Sequence, residues 1–566
     1  MKNDKRLHER RDFKNVRELI EFSGETYAER GAFSFKENPH RDAVTAKTFA
    51  ELRDDVRALG SELLAMGCAG KQCVVIGKMS YDWALLYYSI LSIGGVLVPL
   101  DRDWQPEDLA DTVSKADGDF LFCEEDLNEK AALIAERVDL VTPPVYLAAK
   151  KEERCVQSLV ARGRERYASD PNAYHTAPID PHKLALLVFT SGTTGKGKGV
   201  MLSQNAVLTD LSCIIPYIDF GAKTVGVLPP HHTFGSSVML IGHNMVGAEV
   251  YISAGIRYVV KELKEQKPEH MVLVPLYLET FYRRIQATLK EKGKEKLVAR
   301  MIKVSNAARK VGIDKRATLF KEIRAAFGGE LKMIISGGAP INPDIIDFFD
   351  AIGITTLNGY GITECAPIIA VNHSRHVVKG SVGHVLDIDH VKIDHPNEDG
   401  EGEIWVTGPN VMLGYYKDAA ATAEAIDKDG FFKTGDYGKL DKDNVLYITG
   451  RKKNLIILSN GKNVYPEEIE SELVATPGII DIIVYEGQSK RGLEHNAIVA
   501  EVWPDKDYVE KNGITDIKAH LQKYIDDYNR GAVPYKKIGV LKVRDTEFPK
   551  NTLRKIMRFK LDMSID

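Results

Sequence analysis

The sequence predicts an α/β protein whose sheets are largely parallel, followed by a smaller C-terminal domain. Short apolar runs rich in β-branched residues alternate with amphipathic helical segments through most of the chain, which is typical of βαβ units. From Glu403 onward the pattern changes to short strands separated by Gly and Asp turns, which indicates a small β-rich lobe. After a charged segment near Lys452–Asn454, strand and helix patterns alternate again. We therefore divide the chain into residues 1–452 and 453–566.

The individual elements follow from the same patterns. Apolar, β-rich runs predict strands over residues 73–77, 184–190, 224–228, 250–253, 271–275, 331–335 and 480–485. Amphipathic periodicity predicts helices over residues 82–93, 344–351, 467–473 and 517–528. Residues 83–100 are nearly free of charge, but Gly94 and Gly95 interrupt the run and Pro99 lies near its end. We expect a buried helix, a turn and a buried strand there, and no transmembrane segment.

Length and composition limit the possible classes of protein. The chain has 566 residues, of which 44% are hydrophobic and 28% are charged, which excludes a disordered chain and leaves room for several domains. The net charge of −4 does not favour a nucleic-acid partner. The six cysteines form no CxxC pair or metal spacing, and the N-terminal residues show no apolar signal segment. These features predict a cytoplasmic enzyme.

One region is strongly basic. Between Lys290 and Arg324 the chain has twelve Lys or Arg residues against four acidic residues. The simplest interpretation is a solvated helix face. The alternative is a docking surface for an acidic partner, which would be a phosphate-bearing cofactor, an acyl carrier protein or, by peripheral contact, an anionic membrane.

A loop rich in glycine and hydroxyl side chains follows the predicted strand 184–190. Glycines let backbone N–H groups approach an anion, and hydroxyls and a lysine add donors. The loop is therefore predicted to bind phosphate through Thr190, Ser191, Gly192, Thr193, Thr194, Gly195 and Lys198. It differs from the G-x-x-x-x-G-K-[ST] loop, because Gly199 stands where that motif has its Mg²⁺-binding hydroxyl and no helix follows directly.

This loop and the motifs that follow it resemble the adenylate-forming superfamily, which comprises acyl-CoA synthetases, adenylation domains of peptide synthetases and luciferases. The motifs stand in the family's order, at residues 336–340, 358–364, 433–436, 450–454, 461–470 and 549–558. The segment that begins at Tyr360 is most similar to fatty acyl-CoA synthetases. The resemblance implies a large N-terminal region of stacked α/β lobes with a small β lobe, and a mobile α+β C-terminal domain.

The resemblance also implies a reaction. ATP and a carboxylic acid, expected to be a fatty acid, would give an acyl-adenylate and pyrophosphate, with Mg²⁺ as the metal. Coenzyme A would then give the thioester and AMP. Apolar residues in 236–242 and 368–371 would line an acyl tunnel. One alternative is a ligase that loads acyl carrier protein or another protein thiol, and a more distant one is a non-catalytic sensor of nucleotides.

Residue roles are carried over from the family's motifs one position at a time. The residues implied to bind nucleotide are Gly338, Ala339, Asn358, Gly359, Tyr360, Gly361, Asp436, Arg451 and Gly461. Glu364 is implied to hold Mg²⁺, since one carboxylate and phosphate oxygens suit that hard cation. The implied catalytic residues are Lys555, which would bridge the acid and the α-phosphate, Thr363, which would contact the α-phosphate, and His232, beside the acid. Both reactants are anions, so the barrier is largely electrostatic.

Other interpretations stay open for some of these positions. Lys555 lies in a basic tail, and His232 would also suit a helix start or a core position. Three positions depart from the family pattern, because Arg554 replaces a glycine, Gly197 a proline and Asn454 an aspartate.

Overall fold

A computed structural model describes residues 7–147, 154–190, 197–458, 463–487, 497–550 and 555–565. Its strands are β1 Gly31–Phe35, β2 Thr45–Thr48, β3 Gln72–Ile76, β4 Val96–Leu100, β5 Phe120–Glu124, β6 Val145–Leu147, β7 Leu184–Thr190, β8 Lys198–Ser203, β9 Lys223–Gly226, β10 Glu249–Ile252, β11 His270–Leu273, β12 Met333–Ser336, β13 Thr355–Gly361, β14 Ile368–Val371, β15 Gly383–Val385, β16 His390–Asp394, β17 Gly402–Thr407, β18 Gly414–Tyr415, β19 Phe432–Leu440, β20 Val445–Arg451, β21 Ile456–Ile457, β22 Asn463–Val464, β23 Ile479–Gly487, β24 Ala497–Pro504 and β25 Val540–Val543.

The helices complete the alternation that the sequence predicts. They are α1 Val16–Thr26, α2 Phe49–Met66, α3 Tyr81–Ser92, α4 Pro106–Lys115, α5 Asn128–Arg137, α6 Val156–Ser169, α7 Pro171–His175, α8 Gln204–Ile214, α9 His243–Val246, α10 Val259–Gln266, α11 Pro275–Glu291, α12 Glu295–Arg309, α13 Arg316–Leu319, α14 Lys321–Arg324, α15 Pro343–Ala351, α16 Ala419–Ala425, α17 Pro466–Leu473, α18 Lys506–Lys511 and α19 Ile517–Gly531. A π-helical segment, Phe234–Gly242, precedes α9.

The first lobe is built on a seven-stranded sheet with the order β18-β8-β7-β4-β3-β5-β6. The strands from β7 to β6 run parallel, whereas β8 folds back antiparallel on β7 and β18 pairs antiparallel with β8. The apolar stretch 83–100 lies in this lobe as expected: α3 is buried along its whole length, Gly94 turns the chain at φ +74°, and β4 is buried. Within the described ranges, no helix combines the length and the apolar character needed to cross a membrane.

The second lobe contains a thirteen-stranded sheet with the order β16-β17-β19-β20-β15-β14-β13-β12-β11-β9-β10-β1-β2. Strands β13, β12, β11, β9, β10 and β1 run parallel. The other end of the sheet is antiparallel and consists of β14, β15, β20, β19, β17 and β16, in that order. Strand β13 joins both parts, because its first half pairs with β12 and Gly359 to Gly361 pair with β14. The antiparallel part thus begins ahead of Glu403, in strands of three or four residues that are too short to show a periodic pattern.

Both faces of this sheet are covered, so its parallel strands are apolar on both sides. Val272 and Ile335 point into the core shared with the first lobe, whereas Leu273 and Ile334 point into a second core with α10, α11 and α15. This alternation follows from the two-residue period of a strand. The carboxyl ends of the parallel strands are therefore held in fixed positions.

The C-terminal domain has its own three-stranded sheet, β23-β24-β25. Helices α17 and α19 pack on it around a separate core that includes Ile469, Val484 and Leu521. The predicted hinge, Lys452–Asn454, is a 3₁₀ turn between β20 and β21. The division of the chain at residue 452 stays a prediction.

Side-chain hydrogen bonds join the C-terminal domain to the large region. The Arg283 guanidinium on α11 donates to the carbonyl oxygens of Ile479 and Ile480, at 3.0 and 3.3 Å. The Asn342 amide, which precedes α15, donates to the carbonyl oxygen of Ser471 at 2.8 Å. These contacts hold the C-terminal domain against α11 and the start of α15.

Candidate active site

The candidate site lies where the carboxyl ends of the parallel strands of the two sheets face each other. Asp101 directly follows β4 of the first sheet, and His231 and His232 follow β9 of the second. His231 Nε2 lies 3.6 Å from Asp101 Oδ2, which joins the two edges. Burial lowers the pKa of His231, and the charge of Asp101 opposes this shift. In open α/β sheets this edge is where ligands bind.

Two residues of the predicted phosphate loop are described: Thr190 ends β7 and Lys198 begins β8. Thr190 and Lys198 are paired across the hairpin, next to Gly197, whose carbonyl accepts a hydrogen bond from Lys115 Nζ at 2.9 Å. Lys198 Nζ lies 4.6 Å from the centroid of the Tyr415 ring. The rest of the predicted loop lies outside the described residues, namely Ser191, Gly192, Thr193, Thr194 and Gly195.

Tyr415 connects this hairpin to Glu364. Its hydroxyl donates to Glu364 Oε1 at 3.0 Å, and Glu364 lies on a 3₁₀ turn, Thr363–Cys365, that follows β13. Burial raises the pKa of the Glu364 carboxyl, and the hydrogen bond from Tyr415 opposes this shift. Among the described residues, no cluster of three or more His, Cys, Asp or Glu side chains is placed to hold a metal. Tyr415 uses one lone pair of Glu364, and the remaining lone pairs suit a hard cation such as Mg²⁺.

Asp436, Arg451 and Tyr360 form a bonded group beside Glu364. Asp436 is opposite Arg451 across strands β19 and β20 and is only 3% exposed. Arg451 Nε lies 3.0 Å from Asp436 Oδ1, and the Tyr360 hydroxyl donates to Asp436 Oδ2 at 2.8 Å. Burial raises the pKa of Asp436, and the charge of Arg451 opposes this shift. Each carboxylate oxygen keeps a lone pair, so the group is able to accept hydrogen bonds from two neighbouring hydroxyls.

The predicted adenine-side residues lie at the ends of the adjacent strands β12 and β13: Gly338 and Ala339 follow β12, and Asn358 to Gly361 form the end of β13. Gly338 has φ +86°, a left-handed conformation that favours glycine, and Ala339 follows it. A Cβ at Gly361 would lie 1.8 Å from the carbonyl oxygen of Pro367, so only glycine fits there. Asn358 Nδ2 donates to the carbonyl oxygen of Ser381 at 3.4 Å. Both sets of residues thus lie at the carboxyl ends of neighbouring strands of one sheet.

Lys555 brings the C-terminal domain into the same cleft. Desolvation by the surrounding protein, with the charges of Arg451 and Lys453, lowers the pKa of Lys555 to about 8, and the charge of Asp436 opposes this shift. Lys555 also contributes to the lowered pKa of His232, of which burial is the main cause. Residues implied to be catalytic therefore lie close to the predicted nucleotide-binding pair.

His232 has a buried nitrogen without a hydrogen-bond partner. Its Nε2 atom is unpaired among the described residues, whereas its carbonyl accepts from the Ser236 N–H at 2.8 Å at the start of the π-helical segment. A buried polar atom left unpaired costs about 1–3 kcal/mol, so such atoms are commonly completed by a ligand. His232 is thus both a helix-start residue and a candidate substrate contact.

Sequence reasoning missed a buried acidic pair, Asp210 and Asp389, which lies near Cys365. Asn410 Nδ2 donates to Asp210 Oδ1 at 3.3 Å and to Asp389 Oδ2 at 3.2 Å. The N–H of Ile368 donates to Asp210 Oδ2 at 3.2 Å, and its carbonyl accepts from Asn410 at 3.0 Å. Burial raises the pKa of Asp389 to about 8 and also raises that of Asp210. No local signal marks these residues, because they come from three distant segments.

One departure from the family pattern has a structural explanation. Asn454 Nδ2 donates to Glu467 Oε1 at 2.6 Å, which an ionised aspartate could not do. The other predicted residues of this domain, Gly461 and Arg554, lie outside the described residues.

Known proteins match this chain along most of its length. The family described as AMP-binding enzyme matches residues 21–416. The chain is 30% identical over 465 residues to long-chain-fatty-acid–CoA ligase FadD15 of Mycobacterium bovis. The aligned region covers 78% of this chain and 75% of that protein. It is 28% identical over 508 residues to long-chain-fatty-acid–CoA ligase 6 of Homo sapiens. That aligned region covers 84% of this chain and 72% of the human protein.

The fold is also similar to a solved structure with bound nucleotide. O-succinylbenzoate coenzyme A synthetase (MenE) of Bacillus subtilis, in complex with ATP and magnesium ion, is 20% identical with a TM-score of 0.71 over 96% of this chain and 98% of that one. At this identity the similarity concerns the fold alone. The family match, over more than half of the chain, shows that this protein belongs to the AMP-binding enzyme family of the adenylate-forming superfamily.

Proposed function

We propose that this chain is an AMP-forming acid–CoA ligase whose substrate is a long-chain fatty acid. In the first step a carboxylate oxygen of the acid attacks the α-phosphorus of ATP, and the bond to pyrophosphate breaks. In the second step the thiolate sulfur of coenzyme A attacks the acyl carbon, and the bond to AMP breaks. The relatives named as long-chain-fatty-acid–CoA ligases support this class of acid.

The observation that carries the proposal is the convergence of Lys555 on the Asp436–Arg451 pair. Asp436 has lone pairs for the ribose hydroxyls, and Arg451 compensates its charge. Lys555 would contact both the acid and the α-phosphate, and so stabilise the charge that builds between two anions. With a pKa of about 8 it is mostly protonated at neutral pH, and bound anions raise the pKa further.

The other predicted residues surround this centre. Thr190 and Lys198 would hold phosphates, and Thr363 would contact the α-phosphate. Gly338, Ala339, Asn358, Gly359, Tyr360 and Gly361 would enclose the adenine. Glu364 would hold Mg²⁺, which compensates phosphate charge when bound. The unpaired Nε2 of His232 would accept or donate a hydrogen bond beside the carboxylate of the acid.

The C-terminal domain, residues 453–566, would then rotate to replace Lys555 with the loop that contains Gly461 for the thiol step. Separate cores in the two parts of the chain support movement as a unit. The six cysteines are buried and free, which supports a cytoplasmic location.

ATP–pyrophosphate exchange across a panel of carboxylic acids tests the function. We expect exchange that depends on Mg²⁺ and is fastest with long-chain acids, and thioester formation with free coenzyme A. Exchange with a different acid class would correct the substrate. Transfer to acyl carrier protein but not to coenzyme A would correct the acceptor, and tight ATP binding without exchange would identify a sensor.

A further inference from the structure

The basic segment between Lys290 and Arg324 separates into two parts. Some of its charged residues are bonded within the protein: Lys290 to Asn512, Glu291 to Lys511, Lys294 to Glu322, and both Arg309 and Arg316 to Asp350. Two of these bonds reach α18 and its C-cap residue, so the first residues of the segment support the C-terminal domain. These residues are not available to a partner.

Four of the remaining cations lie on or directly after one helix, α12. Lys296, Arg300 and Lys303 on α12, with Lys310 directly after it, are exposed. None of them has an ion pair or a side-chain hydrogen bond within the described part of the chain. Glu295 is the single acidic residue of this helix. The face is therefore positively charged and uncompensated.

Aliphatic side chains beside these cations are more than half exposed. Leu297 and Val304 are 54% and 68% exposed, and after the helix Val311 and Ile313 are 74% and 52% exposed. Leu297 and Val304 are seven residues apart, so they share one side of α12, whereas Val298, about 100° around the helix from Leu297, is buried. Exposed aliphatic residues grouped in this way mark an interaction surface.

We propose that the face formed by residues 296–313 lies on an anionic lipid surface. A helix with aliphatic residues on one half of its exposed side and Lys or Arg on the other half suits the boundary between headgroups and acyl chains. Each cation near anionic headgroups adds to the attraction, which falls off within a Debye length. An acidic partner would account for the exposed cations alone, whereas a lipid surface also accounts for the exposed aliphatic side chains beside them. The proposal does not depend on the ligase activity.

The experiment is co-sedimentation of the full chain with vesicles of phosphatidylcholine alone or mixed with phosphatidylglycerol. One variant reverses charge with Lys296→Glu, Arg300→Glu and Lys303→Glu. A second keeps the charge and removes apolar surface with Leu297→Ser and Val304→Ser. A matched control makes the same charge change on the C-terminal domain with Lys506→Glu, Lys518→Glu and Lys523→Glu. Thermal melting by circular dichroism checks that each variant folds.

We expect the unmodified chain to bind the anionic vesicles, and binding to weaken with salt. The charge variant should lower the partition coefficient by about a hundredfold or more, and the apolar variant by about tenfold. The control should keep most of the binding. The proposal is wrong if the unmodified chain does not bind anionic vesicles, if the apolar variant binds unchanged, or if the control loses as much as the charge variant. A charge variant that keeps vesicle binding but loses binding to an acidic carrier protein would assign the face to a protein.

Discussion

The two parts of the candidate site are held in different ways. Asp436, Arg451 and Tyr360 lie on strands of one sheet and bond to one another at 2.8 to 3.0 Å. Lys555 comes from a domain with its own core, which is joined to the large region by contacts such as that between Arg283 and Ile479. Backbone register sets the positions of the first group, whereas packing between the two parts of the chain sets that of Lys555. Substitutions of Lys555 or of the contacts that hold its domain are therefore expected to slow adenylate formation more than thioester formation.

The largest effect is expected from Lys555→Ala. Losing a group that stabilises transition-state charge lowers rates by about a hundredfold to a thousandfold. Pyrophosphate exchange should fall by that amount, and conversion of supplied acyl-adenylate to thioester should be spared. Since the protonated form acts and the pKa is about 8, kcat/KM for the first half-reaction of the unmodified enzyme should fall above that pH.

Lys560→Ala is the matched control, because Lys560 is an exposed lysine on the same terminal segment. It should leave both half-reactions unchanged. Equal loss of the two half-reactions in Lys555→Ala would contradict the division between the two parts of the site.

Glu364→Gln tests the part of the site that is built on strands. The change keeps the size and the acceptor for Tyr415 but removes the charge that would hold Mg²⁺. The Mg²⁺ concentration for half-maximal exchange should rise by at least about tenfold. Tyr415→Phe, which removes only the supporting hydroxyl, should give a smaller shift in the same direction. An unchanged Mg²⁺ titration would remove Glu364 from the metal site.

Arg283→Ala tests the docking contact. It removes the hydrogen bonds to Ile479 and Ile480 without touching the nucleotide residues. We expect pyrophosphate exchange to fall by about threefold to tenfold, since hydrogen bonds of charged groups contribute modestly in exposed settings. Thioester formation from supplied adenylate should stay the same. Arg284→Ala, at the exposed neighbouring position, is the control, and an equal effect of both variants would exclude a specific contact.

Asp389→Asn is expected to give the smallest effect. It tests whether the buried Asp389 carboxyl keeps its proton in the folded state. The pKa of Asp389 is raised to about 8, so the folded state keeps a proton that the unfolded state loses at lower pH. The free energy of unfolding should therefore decrease as the pH rises from about 4 to 8. The neutral amide removes this dependence, so its Tm at pH 8 should exceed that of the unmodified chain by about 2–4 °C. Melting curves of the two proteins that shift in parallel with pH would contradict the buried proton.

Local patterns were sufficient for much of the fold. Strand β7 has the predicted bounds, 184–190, because a single apolar run ends at the polar loop. Helix α15 begins at Pro343, one residue before the prediction, since Asn342 caps it by accepting from the Asp344 N–H at 2.8 Å. Strand β12 is Met333–Ser336 instead of 331–335, because Leu331 is buried in the core without being part of the ladder.

The sequence by itself determined which chemical groups are present and in what order, because the motifs are short and carry their own loop geometry. Tertiary structure alone decided which of them meet: Tyr415 with Glu364, Asp210 with Asp389 through Asn410, and Lys555 with the Asp436–Arg451 pair. It also decided which cations of the basic segment have a bonded partner among the described residues. The physical reason is that these partners are distant in the chain, so only strand register and domain packing set the distances between them.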